Sequence, residues 1–223
     1  MPGKRVATRL RPAPGSAGPA VPYSPGMSRL PHLRYDGLDP AGRAVWEEIT
    51  GSRGDTVIDD QGALIGPFNA YVTAPEVGRH LSALGQAVRF GAVLPPRLSE
   101  LAIITVAARW RAEFEWWAHA RSAAGQGISA AAIDAIAAGG EPDFAEPDER
   151  VVHAVARQLA VTGRLEPSVF EAGRALLGDS GMVHLVALCG YYTTVSFVLN
   201  AFEVPLPADA EPAWPAGQEP GRR

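Results

Sequence analysis

Apolar residues recur at every third or fourth position along most of the chain after residue 38, a spacing that predicts helices. The first helix is expected to begin at Asp39-Pro40, an N-cap followed by proline, and to end near Gly51. The polar segment 52–67, which glycine interrupts, predicts a loop. No run of alternating apolar and polar residues predicts a strand.

The same spacing predicts further helices, each bounded by proline, glycine or a capping side chain. The next one begins at Phe68, is interrupted at residues 73–75 and continues to Gly91. The others cover LSELAIITVAARW, a segment ending at residues 125–127, AAAIDAIAAG after Ser129, a longer segment after Pro147, one from Glu166-Pro167 to Gly178, and a final apolar one capped by Asp179 or Ser180. The fold class is therefore expected to be all-α, a compact bundle of about eight helices.

The composition is typical of a globular protein, since 47% of the 223 residues are apolar and 20% are charged. The net charge of -4 is a poor match for a phosphate backbone, so we expect no nucleic-acid partner. Cys189 is the single cysteine, which excludes an internal disulfide and a CxxC pair. The length suits one domain with a hydrophobic core, with or without tails.

The two ends of the chain differ in composition from the part between them. Residues 1–26 are rich in alanine, glycine, proline and arginine, and they contain no apolar segment of the kind found in a secretory signal. We expect these residues to be disordered, and we expect the proline-containing tail 206–223 to be flexible. A cytoplasmic protein is expected.

One segment, residues 182–202, is long and apolar enough to be compared with a membrane span. Its tyrosines, threonines and Asn200 make it only moderately apolar, and neither side has the lysine or arginine anchors typical of a span. A helix that is apolar on all sides is equally expected at the centre of a bundle or at a subunit contact. We therefore predict a buried helix and no membrane partner.

Glu100 is an ionisable residue in an otherwise apolar helix. It falls on the same face as Ile103 and Ile104, while the opposite face carries the regular core pattern. Burial disfavours a charged carboxylate unless a partner compensates. We therefore expect Glu100 to have either a raised pKa or a partner, with His119 and Arg111 as the candidates.

Glu115 and His119 lie four residues apart in AEFEWWAHARSAAGQG, so both side chains share one helix face. Their neighbours are tryptophan and alanine, which are not typical of a surface. Spacing alone leaves two interpretations open. The pair is either an ordinary surface ion pair with Arg111 nearby, or it lines an apolar cavity, with Glu100 close by, and moves protons.

No metal site is predicted, because such a site needs three or four ligands and the other histidines are distant in sequence. His80, His153 and His184 are interpreted as satisfied core or surface residues, and Tyr191 and Tyr192 as packing aromatics. The chain contains no GxSxG sequence and no glycine motif for phosphates or dinucleotides, so no cofactor is predicted.

The stretch from GPFNAY through LPPRLSELAI to the Glu115-Trp116-x-x-His119 run resembles the carboxymuconolactone decarboxylase family, as does the later GYY…LNAFEVP. That family belongs to an all-helical superfamily that also contains the alkylhydroperoxidase D type proteins. The resemblance covers residues 27–205 and implies one compact, oligomeric helical domain of that type. MSRLP at residues 27–31 resembles the usual start of these proteins, which makes Met27 a candidate start.

In the peroxidase branch of the superfamily, a glutamate, two cysteines three residues apart and a histidine surround a redox dithiol. Glu100 and His119 match the glutamate and the histidine of that arrangement, whereas Ala112 and Glu115 occupy the cysteine positions. Because no disulfide can form without thiols, peroxidase activity is not expected. Cys189 is far along the chain and is no obvious substitute.

The decarboxylase branch resembles this chain in lacking the cysteine pair and keeping the Glu-Trp-x-x-His run. The resemblance implies a cofactor-independent lyase that acts on a small carboxylated, cyclic compound by general acid–base catalysis, with Glu115, His119 and Glu100 as catalytic residues. Two alternatives are a peroxide-reducing antioxidant protein and a non-catalytic helical protein that binds a ligand. The family also implies a homo-oligomer (trimer, hexamer or dimer), with residues 182–202 or the Glu100 helix close to the subunit contact.

Overall fold

The computed structural model describes residues 28–91 and 93–214, and within these ranges the chain forms eight α-helices. They are α1 (Pro40–Arg53), α2 (Phe68–Thr73), α3 (Pro75–Phe90), α4 (Pro96–Trp110), α5 (Glu113–Gly125), α6 (Ala130–Ala137), α7 (Pro147–Thr162) and α8 (Pro167–Ala201). Two isolated β-bridges and no strand occur in the same ranges, which confirms the all-α prediction. The expectations for residues 1–26, Met27 and residues 215–223 lie outside the described residues.

The predicted start of α1 is confirmed, whereas its predicted end is too early. Asp39 is the N-cap of α1, and its side chain accepts a hydrogen bond from the N–H of Gly42 at 2.7 Å. The helix ends at Arg53, followed by Gly54 with a φ of 71°, rather than near Gly51 as predicted. Gly51 lies inside the last turn of the helix, and the positive φ that commonly ends a helix falls on Gly54 instead.

The core of the bundle is built by α4, α7 and α8, which pack against one another. Every residue of α4 from Leu98 to Ala107 is buried, so both faces of this helix lie against protein. The aliphatic side chains of Ile103, Val155 and Leu188 meet in this core, each fully buried. The two apolar faces seen in the sequence of α4 thus reflect its central position.

The longest helix, α8, joins two segments that the sequence predicted as separate helices. Gly178 inside it has a φ of 67° and a ψ of 178°, so the helix is kinked at the predicted boundary. Among the described residues, α8 is the helix whose length and apolar composition match a membrane span, and half of its most apolar window is buried inside the protein. The buried half packs into the core, and the other half is at least partly exposed.

The segment 206–214 corrects the prediction of a tail that is flexible from residue 206. The ring of Trp214 packs against Trp116 with centroids 5.2 Å apart, and its indole N–H donates to the carbonyl of Ala137 at 2.9 Å. The backbone N–H groups of Ala213 and Trp214 donate to the carboxylate of Glu113. One large aromatic side chain and these hydrogen bonds therefore anchor a segment whose proline-rich composition predicted no fixed contacts.

A close approach between α3 and α8 depends on Gly85. A Cβ at Gly85 would lie 2.3 Å from the hydroxyl oxygen of buried Tyr191 and 2.6 Å from its Cζ. We expect Gly85→Ala to lower the free energy of unfolding in urea by about 1–3 kcal/mol, as overpacked cores do. Gly51→Ala is the control, because a Cβ there meets nothing within 4 Å. Equal stabilities of the two variants would contradict the prediction.

Candidate active site

A tight turn between α4 and α5 brings Glu100 and His119 together. Arg111 ends α4 in the left-handed region, with a φ of 47° and a ψ of 44°, and Ala112 follows as the N-cap of α5. Because α5 then packs back against α4, side chains on either side of the turn meet. Glu100, Glu115 and His119 are only 4–6% exposed, so the Glu115–His119 pair does not lie on the surface.

The imidazole of His119 is held between two carboxylates. Its Nδ1 lies 2.6 Å from Oε2 of Glu100, and its Nε2 lies 3.0 Å from Oε1 of Glu115. A protonated ring donates to both carboxylates at once, whereas a neutral ring has one N–H to donate. With both nitrogens engaged, this ring has none left for a metal ion. The three residues proposed from the sequence thus come together, and their catalytic role stays a prediction.

Arg89, at the end of α3, is the second partner of Glu100. Its Nη2 lies 3.6 Å from Oε1 of Glu100, and its side chain is 35% exposed. Each oxygen of the Glu100 carboxylate therefore faces a cation, Arg89 on one side and protonated His119 on the other. The expectation that Glu100 has a partner is confirmed for His119, and Arg89 is a residue that the sequence did not single out.

Three buried tyrosines from α2 and α8 lie on the other side of His119. The ring of Tyr192 stands edge-on to the imidazole with centroids 5.2 Å apart, and Tyr191 packs against Tyr192 at 5.1 Å. The hydroxyl oxygens of Tyr191 and Tyr71 are 3.3 Å apart. Burial is the main cause that raises the pKa of each, so all three keep their hydroxyl protons. Tyr191 and Tyr192 are packing aromatics as predicted, and they also bring hydroxyl groups to the site.

A second arginine, Arg53 at the end of α1, lies near these tyrosines. Its guanidinium stacks over the ring of Phe68, 4.9 Å from the ring centroid. Burial lowers the pKa of Arg53, Tyr191 raises it, and the charge of Arg89 lowers it further. Arg53 and Arg89 thus bring two positive charges, from two different helices, to the tyrosine side of the site.

The surroundings of His119 and Glu100 favour their charged forms. Burial lowers the pKa of His119, but the charge of Glu115 and hydrogen bonds to both carboxylates outweigh it and raise the pKa to about 8. Burial raises the pKa of Glu100, but its hydrogen bond with His119 and the charges of His119 and Arg89 hold it below its usual range. At neutral pH the site therefore holds an imidazolium beside an ionised Glu100.

The raised pKa of His119 makes stability depend on pH. A group whose pKa is higher in the folded state stabilises the fold fully below its unfolded pKa, and this contribution disappears as pH rises through the folded value. For His119 the window runs from 6.5 to about 8. We expect about 2 kcal/mol of stability to be lost across it, at about 1.4 kcal/mol per pKa unit.

Urea unfolding of the wild type at about pH 6 and about pH 9 measures this loss. His119→Asn removes the titrating group, so its stability should change much less between the two conditions. His80→Asn is the matched control, since His80 is exposed, and it should keep the wild-type difference. Equal pH dependence in the wild type and His119→Asn would show that His119 is not responsible.

Cys189 lacks the features of a reactive thiol. Its side chain is 3% exposed, and burial raises its pKa to about 12. The thiol therefore stays protonated at neutral pH. Ala112 and Glu115, which the resemblance seen in the sequence matches to the cysteines of the peroxidase branch, are both buried at the start of α5.

The remaining histidines differ from one another. Nε2 of His184 donates to the carbonyl oxygen of Val88 at 2.8 Å and so links α8 to α3, as expected of a satisfied residue. His80 is exposed. His153 is buried with its ring against Phe144, centroids 5.2 Å apart, yet its ring nitrogens have no hydrogen-bond partner within the described ranges. The ring nitrogens of His153 are not among the fully buried unpaired atoms of the described residues, so the interpretation of His153 as a satisfied residue stays a prediction.

The apolar cavity expected at Glu115 and His119 stays a prediction. Tyr192 packs against His119, and a cavity of about 460 Å³ elsewhere in the described residues is lined by α7 and the loop before it. Glu100, Glu115 and His119 do not line that cavity. Glu100, Glu115 and His119 are therefore assembled in a closed arrangement.

The sequence of α3 to α7 matches a known family. Residues 75–158 match the model of the carboxymuconolactone decarboxylase family, and this segment contains Glu100, Glu115 and His119. None of the curated proteins matches the chain by sequence. The match confirms the resemblance seen in the sequence.

Solved structures confirm the fold. An alkylhydroperoxidase AhpD core, an uncharacterized peroxidase-related protein from Ralstonia eutropha JMP134, is similar with a TM-score of 0.66 and 16% identity over 81% of this chain and 93% of that one. A protein of unknown function from Agrobacterium tumefaciens, named as a candidate AhpD antioxidant-defence protein, has a TM-score of 0.54 and 22% identity over 63% of this chain and 97% of that one. A cysteine-to-alanine variant of the debrominase Bmp8, in complex with 2,3,4-tribromopyrrole, has a TM-score of 0.59 and 13% identity over 76% of this chain and 87% of that one. At these identities the likeness is one of fold, the predicted helical fold of the alkylhydroperoxidase D type.

Proposed function

We propose that this chain, of which residues 75–158 match the carboxymuconolactone decarboxylase family, is a cofactor-independent lyase that decarboxylates a small carboxylated cyclic compound. The observation that carries the proposal is the imidazole of His119 held between the carboxylates of Glu100 and Glu115 in buried surroundings. General acid–base catalysis needs a proton donor whose pKa lies near the working pH, and the pKa of His119 is raised to about 8.

In the proposed reaction, the bond between a ring carbon and its carboxylate breaks and CO2 leaves. The electron pair of that bond passes to a conjugated carbonyl group and forms an enolate, which then takes one proton at carbon. Each turnover therefore consumes one proton and releases one CO2, with no oxidant or reductant. The protein must supply the proton and stabilise the enolate oxygen.

The proton is assigned to the His119–Glu115 pair. The imidazolium passes its Nε2 proton to Oε1 of Glu115 across 3.0 Å, and Glu115 donates it to the substrate carbon. The negative charge of Glu115 acts on Tyr71, Tyr191 and Tyr192, so Glu115 faces the tyrosine side of the site, where we place the substrate. Glu100, on Nδ1, positions the ring and stabilises its charged form before the transfer, and a proton taken up from solvent then restores the imidazolium for the next turnover.

The enolate oxygen is assigned to the tyrosine side as well. Tyr71 and Tyr191 are neutral hydroxyls 3.3 Å apart, and Arg53 adds a positive charge near both. Neutral donors and fixed cations in a site without bulk water stabilise developing negative charge more than water does. This side of the site therefore suits an anionic intermediate.

The direct test is CO2 release by the purified protein from a panel of small lactone and ring carboxylic acids, beginning with carboxymuconolactone. A parallel assay follows hydroperoxide reduction with a dithiol reductant. We expect CO2 release and no thiol-dependent peroxide turnover. Peroxide turnover that disappears in Cys189→Ser would replace the lyase proposal with an antioxidant function.

We also propose that the protein is a cytoplasmic homo-oligomer associated through α8. Val183, Val186 and Phe197 are 72%, 43% and 49% exposed, and their spacing places them along one side of the helix. A row of exposed apolar side chains is typical of a surface that another copy covers. Light scattering at micromolar concentration tests this, and a monomer would contradict it.

A further inference from the structure

The cavity beside α7 has the features of a second binding site. It lies between one face of α7 and the loop from α6 to α7 (residues 138–146), and its volume is about 460 Å³. Cavities of this size are typical of small-molecule sites. No residue of the Glu100–His119–Glu115 cluster lines it, so it is a separate place in the fold.

A buried polar side chain without a protein partner lines this cavity. His153 is 6% exposed, its ring packs against Phe144, and its ring nitrogens have no hydrogen-bond partner within the described ranges. These nitrogens are not among the fully buried unpaired atoms of the described residues, so they reach the cavity, where water or a bound molecule is their hydrogen-bond partner. Burial, and then the charge of Arg157, lower the pKa of His153 to about 4. The ring is therefore neutral at pH 7, with one N–H to donate and one nitrogen to accept.

Two arginines on α7 line the same cavity. Arg157 forms a close ion pair with Glu141, but the two side chains are 46% and 75% exposed, and exposed pairs of this kind contribute little stability. A bound anion can therefore take the place of Glu141, whose carboxylate then turns into water. Arg150 uses one N–H to bond the carbonyl oxygen of Phe144 at 2.7 Å, which leaves further N–H groups on its guanidinium.

The rest of the wall contains apolar side chains together with the polar residues Gln158 and Thr162. Phe144 is buried, and Ala154 and Val161 lie on the same face of α7 as the arginines. A guanidinium pairs with a carboxylate through two parallel hydrogen bonds, and the apolar part of the wall, formed by Phe144, Ala154 and Val161, suits a hydrocarbon or aromatic body.

We propose that this cavity binds a small carboxylate with an apolar body, held by Arg157 and Arg150 and hydrogen-bonded to His153. The site does not depend on the proposed lyase reaction, since it shares no residue with the catalytic cluster. An inorganic anion lacks the apolar body, so the proposal distinguishes a carboxylate such as benzoate from phosphate.

Calorimetric titration of the full chain with benzoate, and separately with inorganic phosphate, tests the proposal. Benzoate should bind more tightly than phosphate, and Arg157→Gln should weaken benzoate binding by about tenfold or more, as expected for a lost charge-assisted hydrogen bond. Arg174→Gln is the matched control, because Arg174 on α8 is 52% exposed, pairs with two carboxylates and does not line the cavity. It should leave benzoate binding unchanged.

A second measurement reports on the site itself. Benzoate should raise the pKa of His153, measured by NMR, because the anion offsets the charge of Arg157 that lowers it. Equal binding of phosphate and benzoate would indicate an adventitious ion only and would overturn the proposal. Benzoate binding that survives Arg157→Gln but is lost in Arg89→Gln would place the ligand at the catalytic cluster and would also overturn it.

Discussion

Replacing Glu115 with glutamine is expected to lower kcat for decarboxylation by about 10²- to 10⁴-fold, the range typical of a lost general acid or base. The amide keeps the size of the side chain and leaves an oxygen that can accept from Nε2 of His119, which now lies 3.0 Å from the carboxylate. The amide cannot take up a proton and release it to the substrate carbon. Substrate binding should change little, so KM should stay close to that of the wild type.

Two further variants make this result interpretable. Glu76→Gln is the matched control, because Glu76 on α3 has an 82% exposed side chain, and its kcat should equal that of the wild type. His119→Asn should lose as much activity as Glu115→Gln, and the double variant should lose little more, because the two residues act on the same proton. Wild-type kcat in Glu115→Gln would remove this carboxylate from the chemistry.

The parts of the fold set by local signals could be predicted from the sequence. Asp39 caps α1, and Gly178 separates two helical segments, because capping and positive φ depend on residues close in the chain. The burial of Glu100 was also predictable, since aliphatic residues surround it in the sequence of α4. Local pattern was sufficient for each of these features.

The site as a whole needed the tertiary structure. Arg89 reaches Glu100 from α3, and Tyr192 reaches His119 from α8, two helices whose relative position depends on packing. The contact at Gly85 decides how closely α3 and α8 approach, and a glycine within a helix gives no signal of that role. The anchoring of Trp214 was missed for the same reason, because its partner Trp116 is about 100 residues away.

The resemblance seen in the sequence implies that this site differs from that of the peroxidase branch at two residues, Ala112 and Glu115. Ala112 is the N-cap of α5 and Glu115 lies in its first turn, where the helix N-terminus lowers the pKa of a thiol. His119 would lie one turn from a thiol at residue 115, with Glu100 on its other nitrogen. We therefore expect thiols at residues 112 and 115 to complete a proton relay with His119 and Glu100.

The double variant Ala112→Cys/Glu115→Cys is accordingly expected to reduce hydroperoxides with dithiothreitol, well above the wild-type level, and to lose CO2 release. One thiolate attacks the peroxide and becomes a sulfenic acid as the alcohol leaves, the second thiol displaces water to form the disulfide, and dithiothreitol restores both thiols. Each single variant is a control, since it keeps Cys189 but cannot form the local disulfide. Neither single variant should reduce hydroperoxides at a rate comparable to that of the double variant. If mass spectrometry shows the disulfide between residues 112 and 115 and peroxide turnover still equals that of the single variants, then Glu100 and His119 do not form a working relay in this fold.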